Sequence, residues 1–596
     1  MSNPLDFESR SEWGTTLAEK IPEWADTVRG LPEAALSNPG MMAVLGVCAA
    51  GLVSTAIGGP RVLRKATSAA FSDPSDLYVG DRDGGTFAGR LPVRLGWLDR
   101  RTGMRVIGPT GSGKTTGTTP FAIDDLLAGR DVLILETYGD LGTEVRHRAA
   151  ALGVDILSAD ASEIYGRYWN PLAGEDTEDV ANRLSAAISS SLFYHGFYGP
   201  MGESIVRNFV KLAREYMEFC EKVDPSEAGW DLLSRLITDA GFLHEILGTT
   251  TSDGKNKSSH NRYIVGAKWL TPRTRAWFDG EFLALSEDKR RDYRQNVANL
   301  FERLDNSRAA KHLLIGSDGR ERLDLFEEIN QPRPARGDSQ FTRGLGRLII
   351  LRAPVGERGM NDSAARTVGY LGLKTVIDAT QERAAPAKHV KPLSVYIDEV
   401  PKLMGRAGEE TQHELAGWLT LVRDKNVAPH LIFQGHALMP RILLDALDAT
   451  CRVFLVFPGC SADEVEYIRK SAGIVEAEVE DSRTSYSRSG KTYSEGKRTQ
   501  EKKRLSFDEV KYPKIGEATY LGVKDHADEL PRKLYTRRAP EPDYYGKLRE
   551  RAEAKEEAAA ERAEERQRAS AQKEQARQAR RREREAGREQ RRRAGL

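Results

Sequence analysis

The residues Gly108-Pro109-Thr110-Gly111-Ser112-Gly113-Lys114-Thr115 decide how the rest of the chain is interpreted. They follow a short apolar run, Met104 to Ile107, which Arg105 interrupts, and they precede a helix-compatible run from Thr116 to Ala128. A strand, a glycine-rich loop ending in Lys-Thr and a helix form the context that a phosphate-binding loop requires. The order predicts a P-loop nucleotide site, and an ordinary glycine-rich turn is the alternative.

Each part of this loop has a physical role in binding phosphate. The glycines let successive backbone N–H groups point at phosphate oxygens, and the helix that follows presents the positive end of its dipole. Lys114 is expected to reach the β- and γ-phosphates of ATP, and the Thr115 hydroxyl to bind Mg²⁺. The predicted nucleotide contacts are Gly108, Pro109, Thr110, Gly111, Ser112, Gly113, Lys114, Thr115 and Thr116.

A second apolar run, Leu393 to Ile397, ends in Asp398-Glu399. A buried strand that ends in two acids supplies the carboxylates that a P-loop site needs in addition to its phosphate-binding loop. We expect Asp398 to hold Mg²⁺, directly or through water, and Glu399 to act as the general base on the attacking water. Buried strands often end in acids for other reasons, so this assignment depends on the upstream loop.

Two later residues complete the predicted catalytic set. Gln434 ends the strand His430 to Phe433, where an amide can sense the γ-phosphate and the water. Arg423 lies near the end of the preceding helix and is expected to contact a nucleotide held by a neighbouring subunit. A solvated or salt-bridged helix residue is the alternative for Arg423. His436 is expected to be a packing or hydrogen-bonding residue.

The composition restricts the function classes. The chain has 596 residues, which favours two or more domains, and its charged residues, 30% of the total, leave a net charge of only +1. A nucleic-acid-binding polycation is therefore excluded for the whole chain, and any basic surface must be local. The four cysteines lack zinc-type spacing and suggest no disulfide framework, which fits a reducing compartment.

An uncharged run of nineteen residues, Met41 to Gly59, is about long enough to cross a membrane. Arg61, Arg64 and Lys65 follow it, so the positive-inside tendency places the bulk of the chain in the cytoplasm, behind a single span of the cell membrane. The run is rich in small residues, and a buried Ala/Gly-rich helix is the alternative.

The pattern along the chain indicates an interrupted α/β domain. Strands alternate with helices up to about residue 175, helical periodicity dominates as far as about Pro334, and strands return at Leu348. This predicts a RecA-like sheet, parallel and covered on both faces, with an inserted all-α domain. The predicted units are a polar N-terminal segment (1–40), a transmembrane helix (41–59), a linker (60–80), the nucleotide-binding domain (81–175 and 336–535), the helical insert (176–335) and a charged tail (536–596).

Two polar segments near the end of the chain invite an interpretation. Residues 480–503, rich in Ser, Arg, Lys, Thr, Glu and Tyr, predict an exposed loop or hairpin. The tail lacks leucine or isoleucine at heptad spacing, so a solvated helix or disorder is expected. Its last part, Ala571 to Leu596, is basic and fits either a nucleic-acid or lipid contact or a solubilising tail.

The order of these features resembles the type IV coupling proteins, the TraG/TraD-type conjugative DNA-transfer ATPases, which are related to FtsK and HerA motors. The residues that carry the resemblance are the loop 108–115, the turn Glu136-Thr137-Tyr138-Gly139-Asp140-Leu141, Trp169-Asn170-Pro171-Leu172, the helical insert, Asp398-Glu399, Arg423 and Gln434. Two departures stand out. The family usually has Asp-Pro-Lys-Gly where this chain has Glu136-Thr137-Tyr138-Gly139, and its members usually carry two membrane spans.

The resemblance implies a membrane-bound ring of RecA-like motors, usually a hexamer, that hydrolyses ATP with Mg²⁺. It implies that the helical insert meets relaxosome proteins or secreted substrates, that the ring delivers DNA to a secretion channel, and that DNA is held through its phosphate backbone. An intracellular double-stranded DNA pump of the FtsK or HerA kind is a second hypothesis. A nucleotide-switched protein-secretion receptor with little hydrolysis is a third, which the Asp398-Glu399 pair disfavours.

Overall fold

The computed structural model describes residues 77–593 except 84–89, 164–165, 175, 193–198, 225–227, 252–261, 265, 317–318, 332–343, 357–358, 384–389, 405–408, 488–489, 515 and 523–531. The predicted membrane span, 41–59, lies outside these residues. Within the described part of the chain, no helix combines the length and the apolar character that crossing a membrane requires.

In the described part of the chain, eleven strands form one large sheet, and six more form three two-stranded sheets. The strands are β1 (Leu77–Asp83), β2 (Arg90–Leu95), β3 (Met104–Ile107), β4 (Asp131–Glu136), β5 (Ile156–Asp160), β6 (Tyr168–Trp169), β7 (Thr249–Thr251), β8 (Arg262–Ile264), β9 (Arg322–Leu323), β10 (Leu348–Arg352), β11 (Leu393–Asp398), β12 (Val427–Phe433), β13 (Val453–Val456), β14 (Ile474–Ser487), β15 (Gly490–Lys503), β16 (Glu517–Leu521) and β17 (Arg532–Tyr535). The order across the large sheet is β2-β1-β17-β16-β13-β3-β12-β11-β4-β10-β5.

The centre of the large sheet is parallel, as the strand–helix alternation predicts. The seven strands from β13 to β5 in that order all pair in parallel. Alternate residues of β4 enter two different cores: Leu133 and Leu135 pack on one side of the sheet, Val132 and Ile134 on the other. Burial on both faces explains why these strands read as continuous apolar runs.

One edge of the sheet differs from the expectation. Strands β16, β17, β1 and β2 extend it in antiparallel fashion, and β1 pairs with β17 from the far end of the domain. Asp81, the first residue of the predicted nucleotide-binding domain, lies within β1 opposite Tyr535, so the domain begins a few residues earlier than predicted. At the other edge of the sheet, β5 pairs with β10.

Helices cover the sheet and build the insert. They are α1 (Trp97–Arg100), α2 (Lys114–Leu127), α3 (Leu141–Leu152), α4 (Thr177–Leu192), α5 (Gly199–Tyr216), α6 (Trp230–Thr238), α7 (Ala240–Leu247), α8 (Pro272–Trp277), α9 (Glu287–Asp305), α10 (Arg308–Leu314), α11 (Leu325–Asn330), α12 (Asp362–Gln381), α13 (Val400–Met404), α14 (Glu409–Leu421), α15 (Arg441–Thr450), α16 (Ala462–Ala472), α17 (Phe507–Lys511) and α18 (Pro542–Arg593). Short π-helical turns follow α5 and α8, and a 3-10 turn, Val422–Lys425, follows α14.

The described part of the helical insert, α4 to α11, has its own aromatic core and also packs on the sheet domain. Trp230 stacks on Phe301 with ring centroids 4.5 Å apart, and Phe209 meets Phe278 and Phe282. Helix α12 of the sheet domain contacts α4 and α11. The predicted apolar faces of α5 and α9 are buried, as their 3.6-residue periodicity requires.

The charged tail is a 52-residue helix, α18, in agreement with the solvated-helix expectation. Its start is attached to the sheet domain: Tyr545 is buried, and Arg148 of α3 donates a hydrogen bond to the carbonyl of Pro540 at 2.9 Å. Most of the described residues beyond that point are exposed. The tail is therefore anchored at its start alone among the described contacts.

Candidate functional site

The glycine-rich loop connects the end of β3 to the start of α2. Gly111 and Gly113 have φ values of 79° and 95°, a left-handed conformation that a side chain disfavours. A Cβ added at Gly111 would meet no atom within 4 Å, so the backbone conformation, and not crowding, favours glycine there. Gly113 caps α2 without any side-chain hydrogen bond, which leaves the first N–H groups of the helix available to an anion.

Lys114 lies inside the loop that it is predicted to serve. Its Nζ donates to the carbonyl oxygens of Gly108, at 2.5 Å, and Pro109, at 3.1 Å. Burial lowers the pKa of Lys114, while the nearby Glu399 and Asp398 carboxylates oppose that shift. The Oγ of Ser112, another residue of the loop, is buried without a hydrogen-bond partner. The loop therefore offers a cation, free backbone donors and an unsatisfied hydroxyl around one space, which fits a bound phosphate.

Phe457, the residue after β13, packs against the loop and fixes its backbone. A Cβ on Gly108 would lie 2.8 Å from the Phe457 Cβ, and a Cβ on Gly117 would lie 2.5 Å from its ring. The Phe457 side chain therefore leaves no room for a Cβ at Gly117, which meets its ring, and crowds Gly108 together with the Ser112 hydroxyl. This explains a glycine within α2, where the residue otherwise weakens a helix.

The predicted acids end β11, two strands away from the phosphate loop across β12. Asp398 and Glu399 are only 6% and 9% exposed. Their negative charges raise the pKa of Lys114 and so favour its protonated form, against the effect of burial. Burial raises the pKa of Asp398 to about 7, helped by the charges of Glu136 and Glu399 and opposed by Lys114. A bound cation would relieve the repulsion between these buried acids, and this electrostatic arrangement fits a Mg²⁺ site.

Glu399 is held by two partners and by an unusual backbone. Gln434 donates to its Oε1 at 3.0 Å, and the Nζ of Lys402 lies 3.7 Å from its Oε2. Its φ is +54°, a left-handed conformation that costs a residue with a side chain on the order of 1 kcal/mol. The structure thus brings Gln434 to Glu399, as predicted, and stores strain at the predicted base.

Sequence reasoning missed a third acid in this region. Glu136 ends β4, next to β11, and is fully buried, with a raised pKa caused first by burial. Its Oε1 accepts from Arg352 at 3.1 Å and its Oε2 from the Gly142 N–H at 2.6 Å. The sequence signal used for Asp398, a buried strand that ends in an acid, is also present at β4 and could have identified Glu136.

Arg352, at the end of β10, joins the loops around the site. It donates to Glu136, to Asp140 at 3.0 Å, to Asp160 at 3.2 Å and to the Gly139 carbonyl at 3.1 Å. The turn that departs from the family pattern is therefore fixed by an arginine from a neighbouring strand.

Arg423 is not brought to this site within one chain. It is exposed and lies in the turn before β12, at the amino ends of the central strands, whereas the loop, Asp398 and Gln434 lie at their carboxyl ends. The seven residues of β12 separate the two ends by about 23 Å. Arg423 therefore lies away from the nucleotide site of its own chain, and its contact with a neighbouring subunit stays a prediction.

His436 is a hydrogen-bonded core residue, as expected. Its Nδ1 meets Glu464, and its Nε2 lies 3.0 Å from the Nη1 of Arg105. Arg105, which interrupts the apolar run before the loop, also bonds Asp448 and the Cys451 carbonyl. The interruption is a buried, fully engaged arginine inside β3.

No protein-family model matches the chain, and no curated protein matches it significantly. Among solved structures, the chain is similar to the bacterial conjugative coupling protein TrwBdeltaN70 in its unbound monoclinic form. The TM-score is 0.52 and the sequence identity 14%, covering 81% of this chain and 93% of that one. It is also similar to the plasmid coupling protein TrwB in complex with ADP and Mg²⁺, with a TM-score of 0.50 and 15% identity, covering 78% and 95% of the two chains.

At these identities the similarity establishes the fold. The chain has the mixed α/β architecture of those coupling proteins, with a large, mainly parallel sheet. The fold that the resemblance to type IV coupling proteins implied is therefore confirmed.

Proposed function

We propose that this protein is a Mg²⁺-dependent P-loop ATPase. The observation that carries the proposal is the convergence of Lys114, Asp398 and the Glu399–Gln434 pair at the carboxyl ends of neighbouring strands. Similar structures of TrwB hold ADP and Mg²⁺, or the GTP analogue GDPNP, which supports a nucleotide at this place.

Each residue has a definite task in this proposal. The N–H groups of the loop and Lys114 hold the nucleotide phosphates, while Thr115 and Asp398 hold the metal. Bound Mg²⁺ neutralises charge that develops on the phosphates. Glu399 accepts a proton from the attacking water, and Gln434 orients Glu399 through the hydrogen bond to its Oε1. Gln434 also links this base to β12, the strand that Arg423 precedes.

We further propose that hydrolysis drives DNA through an oligomeric ring, the hexamer that the resemblance implies, towards a type IV secretion or conjugation channel. Two observations support this: the fold shared with conjugative coupling proteins, and the exposed position of Arg423 away from its own nucleotide site, which suits contact with the nucleotide of another subunit. The helical insert is the proposed docking site for relaxosome or secreted substrate proteins, and DNA is gripped through its phosphates.

We propose residues 41–59 as a membrane anchor that leaves the motor in the cytoplasm. The uncharged run and the basic residues after it support this. Membrane fractionation of cells that express the full chain, or the chain without residues 41–59, tests it. The full chain is expected in the membrane fraction and to resist carbonate extraction; extraction of both forms would contradict an anchor.

The activity is tested by ATP hydrolysis of the detergent-solubilised full chain, with and without single- and double-stranded DNA, over a range of protein concentrations. The rate per subunit is expected to rise with DNA and with concentration, and Lys114→Ala is expected to abolish it. A stronger response to duplex DNA would favour an FtsK- or HerA-like pump. A rate of ATP hydrolysis that does not change with DNA, or no hydrolysis, would overturn the proposal of a DNA motor and favour a nucleotide-switched receptor.

A further inference from the structure

Tyr138, in the turn after β4, is fixed by helix α12. Its hydroxyl donates to the Oδ1 of Asp362 at 2.5 Å and accepts from the Nε of Arg366 at 3.2 Å, and Arg366 also pairs with Asp362. The same helix packs closely on the preceding residue, because a Cβ on Gly369 would lie 2.5 Å from the Cγ2 of Thr137. The ring of Tyr138 is therefore held at its hydroxyl end and through its neighbour.

Lys402 of α13 lies on this ring and beside the predicted base. Its Nζ is 4.5 Å from the centroid of the Tyr138 ring and 3.7 Å from the Oε2 of Glu399. The first distance is within the range at which an aromatic face attracts a cation. The Lys402 N–H donates to the Glu399 carbonyl at 2.9 Å, so both side chains start from one turn of the backbone. The ammonium group is therefore held between a ring and a carboxylate.

This contact gives Glu399 a partner at each carboxylate oxygen. Gln434 donates to Oε1, and the Lys402 ammonium lies beside Oε2. The other acids of the site oppose such an arrangement. Burial raises the pKa of Asp398, and the charges of Glu136 and Glu399 raise it further, as expected for carboxylates that repel one another. A fixed cation beside Glu399 offsets this repulsion.

Lys402 also lies within electrostatic reach of the phosphate loop. Burial lowers the pKa of Lys114, and the positive charge of Lys402 adds to this shift. Direct contact with the nucleotide is therefore the rival role for Lys402, and it would appear as weaker nucleotide binding in a variant without the charge.

We infer that Lys402, seated on the ring of Tyr138, is a positioning residue for Glu399. The inference rests on the proposed ATPase and deepens it, because it names the residues that hold the general base in one orientation. Gln434 and Lys402 each restrain one carboxylate oxygen, so the neighbouring acids do not turn the base away from the attacking water. This also gives a task to Tyr138, which departs from the family pattern.

The test measures steady-state ATP hydrolysis, binding of a fluorescent ATP analogue and the melting temperature of full-length variants. Lys402→Met keeps the length of the side chain and removes its charge, whereas Lys402→Arg keeps the charge. The side chain of Lys402 is 42% exposed, so both proteins are expected to fold. Lys470→Met is the matched control, because this exposed lysine in the last turn of α16 is not among the described contacts of Glu399 and Tyr138.

Lys402→Met is expected to lower kcat about 10-fold, because one of two restraints on the base is lost; a fixed displacement of about 1 Å would cost roughly 100-fold. The KM for ATP and the affinity for the analogue are expected to stay within about twofold, since the phosphate loop is unchanged. Lys402→Arg is expected to recover most of the rate, because a guanidinium group also stacks on a ring and pairs with a carboxylate. Lys470→Met is expected to keep the wild-type values.

The role of the ring is tested with a double variant. Tyr138→Leu removes the ring and is expected to lower kcat in the same way as Lys402→Met. The protein with both substitutions is expected to lose no more than the larger single loss, because both changes remove one and the same contact. Losses that multiply would show that Lys402 acts without the ring, and would overturn the inference.

An unchanged kcat in Lys402→Met, or equal losses in Lys402→Met and Lys470→Met, would also overturn the inference. So would a loss that Lys402→Arg does not recover, or weaker analogue binding at unchanged kcat, because Lys402 would then contact the nucleotide. These outcomes leave the ATPase proposal in place, since wild type still hydrolyses ATP. Wild type without Mg²⁺-dependent hydrolysis would overturn the ATPase proposal itself.

Discussion

Replacing Gly139 by alanine tests whether the position of Asp398 is set by the turn beside it. A Cβ at residue 139 would lie 2.0 Å from the Oδ2 of Asp398, whereas ordinary contacts begin at 3.4 Å. The carboxylate must therefore shift by about 1.4 Å, the difference of these two values. Asp398 is buried and has little room, and misplacing a catalytic group by about 1 Å costs roughly 100-fold in rate.

We therefore expect Gly139→Ala to lower kcat for ATP hydrolysis by about 100-fold and to raise the Mg²⁺ concentration required. The phosphate loop is separate from the clash, so binding of a fluorescent ATP analogue is expected to remain within a few-fold. Gly417→Ala is the matched control, because a Cβ there meets no atom within 4 Å. A Gly139→Ala protein with wild-type kcat and Mg²⁺ dependence would refute the reasoning.

The remaining predictions concern the subunit contact and the buried histidine. Mixing Arg423→Ala with Lys114→Ala is expected to restore part of the hydrolysis that each lacks, since the mixed ring contains intact sites; assembly without any recovery would contradict the contact. Burial, with help from Arg100, lowers the pKa of His430 from 6.5 to about 3, so its contribution to stability is complete above pH 6.5 and is lost as the pH falls towards 3. Replacing His430 by Gln is expected to flatten the fall of the free energy of unfolding in this range, by up to about 1.4 kcal/mol per pH unit as measured by urea denaturation, whereas replacing the exposed His147 by Gln is not; identical profiles would contradict this.

Local sequence signals were sufficient to predict the centre of the nucleotide-binding domain. The loop 108–115 and the pair Asp398-Glu399 appear in their predicted strand–loop–helix contexts, because each signal is contained in about ten consecutive residues. Gln434 follows from the same rule, since the carboxyl ends of parallel strands meet at one edge of the sheet. The roles of these residues remain predictions until activity is measured.

Contacts between residues that are far apart in the sequence could not be predicted from local sequence signals. Arg352 and Glu136 are 216 residues apart in the sequence, and β1 pairs with β17 across the whole domain. Nothing local to Arg352 shows that β10 lies beside β4, so its role in fixing the turn at Gly139 required the strand order.

The most direct test of the central claim is a single-turnover experiment with radiolabelled ATP on wild type and Glu399→Gln. The substitution keeps the size of the side chain and removes the base. Both proteins are expected to bind ATP in the presence of Mg²⁺, wild type to convert the bound ATP to ADP, and Glu399→Gln to retain it intact. Conversion at the wild-type rate in the variant would show that Glu399 is not the base, and failure of wild type to bind ATP would contradict the assignment of the loop.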